Sequence, residues 1–335
     1  MIGTDAEVLV GRDLELRLPR RDERERVVVL TQPGEARRVA DSFTARLTDI
    51  ESIVVELPDR ESAKELAVVG DTYDRLADFN LGRHDTVVGV GGGALTDVAG
   101  FIAATWLRGV ESVLVPTTLL GAVDASIGGK TGINRRGKNL VGAFWHPSRV
   151  MIDLDTLDRL PNGLRLEGSA EIIKAGLIRD PAIVEAYAAS GLDAPLDDVV
   201  PRAVAVKAAI VAGDFREAGD RALLNFGHTI GHAVEILAPM PHGHAVSVGM
   251  VAAGLVSSAR FGFDAGWLTD LLFTVGLPVA ASGISGSAAL QLVERDKKRT
   301  AAGIRMVLLR SIGDPVIEVV SLEEVRTALA AIGAV

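Results

Sequence analysis

The chain has 335 residues, a formal net charge of -9, hydrophobic residues at 48% and no cysteine. That length exceeds what one hydrophobic core usually serves, so two domains are expected, and the composition excludes a globally disordered chain. The acidic balance argues against a nucleic-acid partner, and the missing thiols exclude disulfides, thiolate metal ligands and a cysteine nucleophile, leaving histidine and carboxylate to hold any transition metal.

The stretch through Leu30 is charged and lacks the apolar core of a secretory signal, and no uninterrupted apolar run reaches about 18 residues. An untargeted chain of a reducing cytoplasm, without a membrane partner, is expected. From Val27 onward short β-branched runs alternate with helical stretches: VVVL (27–30), a helix over about 34–47, SIVVEL (52–57), a helix over about 61–79, TVVGV (86–90), a helix after Gly93, and SVLVP (112–116). This βαβ periodicity with near-continuous apolar strands predicts a Rossmann-like parallel sheet covered on both faces.

The run TVVGV leads directly into Gly91, Gly92, Gly93, Ala94, Leu95, Thr96 and Asp97. A glycine-rich strand-to-helix turn lets backbone N–H groups approach a phosphate at the helix N-terminus. The pattern is not GxGxxG, so a tight turn without a ligand stays open as an alternative. A polar and glycine-rich segment follows, with Thr117, Thr118, Asp124, Gly128, Gly129, Lys130 and Thr131, then Gly137, Lys138 and Asn139. It offers several donors to an anion. Gly-Gly-Lys-Thr is not a P-loop, because Asp124 stands where the earlier glycine is required.

After Pro161 amphipathic, alanine-rich stretches dominate: 169–177, 181–189, 196–211, 219–237 and 245–261. The expected division is an α/β domain over 1–157 and an all-α domain over 158–335. Within the second, His228, His232 and His242 fall close together, and the first two, four apart, share a helix face. Three imidazoles suggest a metal site; a partly buried helix with satisfied histidines is the plain alternative. Glu171 and Lys174, three apart, would by themselves be a surface ion pair.

These segments, in this order, resemble the 3-dehydroquinate synthase family, sugar phosphate cyclases that share the fold of the iron-type alcohol dehydrogenases. The motifs are GGGxxxDxxGFxAxxxxRG (91–109), PTTLLxxVDxSIGGKTGIN (116–134), GKNLVGAF (137–144), AEIIKAG (170–176), RxLLNxGHTxGHAxE (221–235), HGxAVSxGM (242–250) and DKK (296–298). The resemblance implies a divalent metal, zinc or cobalt, on Glu171, His228 and His242, with His232 transferring a proton and Glu217 as its relay partner. It implies NAD held by Gly91, Gly92, Asp97, Thr117, Thr118 and Lys138, with Glu61 and Lys64 near the ribose. Asp124 would lie between nicotinamide and substrate. Lys130, Asn139, Asn225, Lys297 and Lys298 would hold the substrate phosphate, with Arg108 supplied by a neighbouring subunit and hence a homodimer. Lys207 and Arg221, with the catalytic Lys174 beside them, would read a substrate carboxylate.

The reaction so implied turns 3-deoxy-D-arabino-heptulosonate 7-phosphate into 3-dehydroquinate and phosphate, a step of the shikimate pathway to aromatic amino acids. A carboxylate grip by Lys207 and Arg221 favours that substrate over sedoheptulose phosphate. Three departures leave alternatives open. The N-terminus lacks a clear first strand, Arg60 stands where glycine is common, and His244 stands where many members have Glu. The alternatives are an aminodehydroquinate or valiolone-type cyclase of secondary metabolism and a metal-dependent polyol dehydrogenase.

Overall fold

The computed structural model describes residues 6–15, 17–19, 25–217, 219–295, 299–300 and 303–334. They divide into two compact units, 1–160 and 161–335.

The first unit contains β1 (Glu7–Gly11), β2 (Arg26–Thr31), α1 (Glu35–Thr44), β3 (Glu51–Glu56), α2 (Leu66–Asp78), β4 (Thr86–Gly91), α3 (Gly93–Thr105), β5 (Glu111–Pro116), β6 (Lys130–Ile133), β7 (Val141–Phe144), β8 (Arg149–Asp153) and α4 (Leu154–Asp158). Six strands form one sheet in the order β1-β8-β5-β4-β2-β3, and every pairing is parallel. Val27 to Leu30 are fully buried, as are Val87 and Val88. Such strands carry apolar residues at successive positions because both faces are covered. On one face Val39, Ala40 and Phe43 of α1 pack against Val27, Val29, Val88, Val113 and Met151.

Two sequence expectations are corrected here. A first strand does exist: EVLVG forms β1, which pairs with β8 over Glu7 to Gly11. The helix expected over 61–79 is broken, because Arg60–Lys64 is a tight 3-10 turn and Glu65 is extended, bridged to Asn134, before α2 begins. The segment after β5 also differs from a plain loop. It coils as a π-helix over Gly121–Ala125 and then folds into the antiparallel β6–β7 hairpin.

The second unit contains α5 (Asn162–Ile178), α6 (Pro181–Ser190), α7 (Leu196–Gly213), α8 (His228–Leu237), α9 (His242–Phe261), α10 (Ala265–Val275), α11 (Gly286–Arg295), β9 (Arg299–Thr300), β10 (Gly303–Ser311), β11 (Asp314–Val320) and α12 (Leu322–Ala331). It is helical as expected, with one addition: β9, β10 and β11 form an antiparallel sheet. The stretch expected as one helix over 219–237 is divided. Asp220–Asn225 is a 3-10 segment, and Gly227, at φ 79°, turns the chain before α8 starts.

Two helices form the centre of this unit. Residues Gly168 to Ile178 of α5 are buried without interruption, and α9 is buried over most of its length. By length and composition α9 could cross a membrane, but 67% of its most apolar window is packed inside the protein. All-round burial is the environment that selects an apolar helix without a polar face.

Glycines set the spacing of α5, α8 and α9. A β-carbon on Gly249 would run into the carbonyl oxygen of Gly227, one on Gly231 would lie 2.9 Å from that of Ala245, and one on Gly243 would run into that of Glu167. Backbones therefore touch directly at three points. The first two bind α8 to α9, and the third presses the start of α9 onto α5 one turn before Glu171.

Candidate active site

The close helix contacts bring three side chains to one point in the second unit. Glu171 projects from α5, while His228 and His242 are the first residues of α8 and α9. Nε2 of His228 lies 3.5 Å and Nε2 of His242 3.7 Å from Oε1 of Glu171. That oxygen is buried and has no hydrogen-bond partner among the described residues. A buried carboxylate oxygen without a partner is costly, and a cation is the group that offsets the cost.

Each imidazole is oriented from its far side. Nδ1 of His228 lies 3.1 Å from the carbonyl oxygen of Phe226, and Nδ1 of His242 lies 3.0 Å from Oε2 of Glu235. When Nδ1–H donates to those acceptors, the Nε2 lone pairs turn toward Glu171. Outer partners of this kind are typical of metal-bound histidine. The N-terminal positions add to this, since the positive ends of two helices favour neutral imidazole and anionic carboxylate. Two imidazoles and one carboxylate suit zinc or cobalt and leave coordination positions for substrate oxygens.

The electrostatics agree. Burial works against ionising Glu171, but Lys174, His228 and His242 outweigh it and hold the carboxyl well below its usual range. Burial, reinforced by Lys174, keeps His228 well below the usual imidazole value. Burial also opposes charge on His242, yet Glu171 and Glu235 overcome it and raise that group to about 10. A proton on His242 and a divalent cation are alternative ways to balance the same negative charge.

Lys174 donates to Oε2 of Glu171, and both side chains are almost wholly buried. The ion pair that sequence spacing suggested is thus real but internal. It occupies one carboxylate oxygen and leaves Oε1 to face the histidines.

His232, one turn beyond His228, is exposed and lines a cavity of about 220 Å³ together with Thr229 and Arg295. Its ring centre is 5.2 Å from that of His228 and 6.1 Å from that of His242. Glu235 was not singled out in the sequence. It nevertheless belongs to a second group, with His232 and His242, whose ligand atoms lie within 4.8 Å of one another. Residues 228, 232 and 235 follow the i, i+4, i+7 spacing of one helix face, which is the signal that could have marked Glu235.

The other expected residues of this unit are distributed around the 3-10 segment. Glu217 accepts a hydrogen bond from Nδ2 of Asn225 at 3.0 Å, which joins the expected relay residue to an expected phosphate residue. Arg221 is buried and donates to the carbonyl oxygen of Phe215, and its segment packs against α7, which carries Lys207. Nε2 of His244 is buried and has no hydrogen-bond partner among the described residues. Lys297 and Lys298 lie outside the described residues.

In the first unit the end of β4 passes through Gly91 and Gly92 into α3, and among the described residues no side chain caps the helix N-terminus. A β-carbon on Gly92 would come within 3.3 Å of the Thr118 methyl group, so the turn is open only because it lacks one. Uncapped amide groups beside a glycine cradle suit the phosphates of a dinucleotide. Thr117 is tied to the same turn through its amide, which donates to the Gly91 carbonyl oxygen at 2.8 Å. Thr118 accepts from the amide of Gly121.

Beside the turn, buried Lys64 donates to Oδ2 of Asp97 at 2.6 Å and also to Oδ1 of Asn139. Burial nevertheless lifts Asp97 to about 6 against the pull of Lys64, with Asp124 and Glu61 adding to the rise. Glu61 accepts from Nδ2 of Asn134 at 2.6 Å, and Oδ1 of Asn134 accepts from the amide of Asn139 at 3.0 Å. Glu61, Lys64, Asp97 and Asn139 therefore form one network, although the resemblance divided them between cofactor and substrate.

Asp124 lies in the π-helix, a distortion that commonly marks functional segments. Lys130 opens β6, and Lys138 lies exposed in the turn before β7. Arg108 is exposed at φ 67°, directly after Leu107 at φ 49°. Two successive non-glycine residues in the left-handed region are a costly local arrangement.

The family models for the N-terminal and C-terminal parts of 3-dehydroquinate synthase match residues 54–165 and 168–299. The chain belongs to the 3-dehydroquinate synthase family. It is 43% identical over 331 residues to a 3-dehydroquinate synthase of Thermobifida fusca, covering 94% of this chain and 89% of that one. It is 46% identical over 314 residues to one from Mycolicibacterium vanbaalenii, covering 88% and 86%. Among solved structures, the 2-epi-5-epi-valiolone synthase of Streptomyces hygroscopicus, with NAD+ and Zn2+ bound, matches with a TM-score of 0.88 at 27% identity, over 99% of this chain and 98% of that one. A 2-deoxy-scyllo-inosose synthase complexed with carbaglucose-6-phosphate, NAD+ and Co2+ matches in fold with a TM-score of 0.86 at 24% identity, over 96% and 95%.

Proposed function

We propose that this member of the 3-dehydroquinate synthase family converts 3-deoxy-D-arabino-heptulosonate 7-phosphate to 3-dehydroquinate and phosphate. The observation that carries the reading is the convergence of Glu171 Oε1 with the Nε2 atoms of His228 and His242, in a chain 40% to 46% identical to enzymes of that name. Glu171, His228 and His242 would hold a divalent cation, zinc or cobalt. Gly91, Gly92, Thr117 and Thr118 would hold NAD, with Asp97, Lys64, Glu61 and Lys138 around it. When bound, NAD supplies a reversible hydride acceptor and the cation a Lewis acid for an alkoxide oxygen.

The chain's own groups account for binding and proton movement. His232, exposed beside a cavity, takes the proton of the hydroxyl that is oxidised, and Glu217 is its relay partner. Asp124 orients the substrate hydroxyls. Lys130, Asn139, Asn225, Lys297 and Lys298, with Arg108 of a neighbouring subunit, grip the phosphate and stabilise it as it leaves. Lys207 and Arg221 read the substrate carboxylate, with a guanidinium able to bind it through two parallel hydrogen bonds. Lys174 pins the second oxygen of Glu171, which keeps the first free for the cation.

A homodimer is part of the same proposal, in which the exposed turn at Arg108 would reach the site of a neighbouring subunit. A cytoplasmic setting belongs to the same proposal, and a chain without cysteine makes no demand on an oxidising compartment. The deciding experiment compares phosphate release from the heptulosonate phosphate, its imino counterpart and sedoheptulose 7-phosphate. Turnover of the first without net NADH is expected, and activity confined to sedoheptulose 7-phosphate would overturn the reading.

A further inference from the structure

We propose that Glu235 is a positioning residue of the metal centre, holding His242 through Nδ1 so that Nε2 is presented to the cation. This rests on the assignment of Glu171, His228 and His242 as metal ligands. Oε2 of Glu235 lies 3.0 Å from Nδ1 of His242, and the carboxylate is 16% exposed. It stands on α8, seven residues after His228, so one helix carries both a ligand and the group that orients another ligand.

The two imidazoles are held by acceptors of different strength. His228 meets the carbonyl oxygen of Phe226, a neutral dipole, whereas His242 meets a carboxylate. A charged acceptor forms the stronger hydrogen bond and draws the N–H proton outward, which makes the opposite nitrogen a better electron donor. His242 is therefore the more strongly donating imidazole of the pair. The ligand atoms of Glu235, His232 and His242 lie within 4.8 Å of one another, so the same carboxylate also stands beside the proton-carrying imidazole.

The test is Co2+ titration of the purified metal-free full-length protein, followed through the visible Co2+ absorption and by competition with a chelator. Wild type, Glu235→Ala and Glu235→Gln are compared, with the melting temperature of each metal-free protein as a control. Loss of an outer partner of this kind costs about 10- to 100-fold in metal affinity. That loss, with a shifted Co2+ spectrum, is expected for Glu235→Ala. Glu235→Gln keeps an acceptor without the charge and is expected to fall between alanine and wild type; it also serves if the alanine variant does not fold. Wild-type affinity and an unchanged spectrum in a folded variant would overturn the role of Glu235. Absence of Co2+ uptake by wild type would instead overturn the metal assignment on which it rests.

Discussion

Gly249 of α9 lies so close to Gly227, the turn before α8, that a β-carbon on Gly249 would collide with the Gly227 carbonyl oxygen. The first residue after that turn is His228, so the helix contact also fixes the position of a proposed metal ligand. Gly249→Ala is expected to destabilise the protein by about 1–3 kcal/mol through overpacking, and to weaken metal binding in whatever fraction folds. Urea denaturation with and without metal measures both effects. Wild-type stability would show that the two helices separate without cost.

His228→Ala and His242→Ala are each expected to abolish phosphate release and to lower bound metal in the purified protein. Lost activity with full metal content would deny the assignment, as would full activity without metal. Atomic absorption alongside an assay of released phosphate separates these outcomes.

Metal affinity should depend on pH in a stated direction. His242 is raised to about 10, whereas Glu171 and His228 are both held well below their usual values. Near neutral pH the cation therefore displaces one proton, from His242. Affinity is expected to rise about tenfold per pH unit between about 7 and 9 and to level off above 10. Calorimetry in two buffers of different ionisation enthalpy counts the released proton; a count of zero would refute the account.

Asp97 contributes in the opposite sense from a usual surface carboxylate. Its folded value of about 6 exceeds the ordinary 3.8, so between those limits the folded state binds more protons than the unfolded state. Stability from this group is fully present below 3.8 and falls as pH rises through 6. Asp97→Asn should flatten that component of the stability profile, as measured by thermal melts between pH 4 and 7. An unchanged profile would mean that Lys64 compensates the charge completely.

Arg60 occupies the left-handed region at φ 52°, and its side chain is 88% exposed. Glycine would relieve about 1–2 kcal/mol of backbone strain while costing about 0.4–1 kcal/mol through the freer unfolded chain. Arg60→Gly is thus expected to stabilise slightly, by about 0–1.6 kcal/mol on these magnitudes. Clear destabilisation would show that the arginine side chain makes a contribution beyond its weak contact with Asp59.

The parallel sheet was legible because VVVL, TVVGV and SVLVP place β-branched residues at successive positions, a pattern set by burial on both faces. β1 was not, because EVLVG is a short edge strand, and its pairing with distant β8 leaves little local trace. The division of 219–237 was hidden for a similar reason. Gly227 turns there because α9 occupies the adjoining space, and no local periodicity reports that. His228, His232 and His242 announced a shared site through their closeness in the chain, whereas Glu171 was readable as part of it only through the family resemblance. Glu235 had a legible position but no legible partner, since its role depends on where α9 begins.

The pairing of β1 with β8 also bears on how the chain is made. The strand Glu7–Gly11 leaves the ribosome well before its hydrogen-bonding partner, Arg149–Asp153, which lies far downstream. At about 5–20 residues per second, that partner emerges on the order of ten seconds later. Until then β1 and β5 both lack the strand that lies between them in the finished sheet, so each leaves an edge open to wrong pairing during translation.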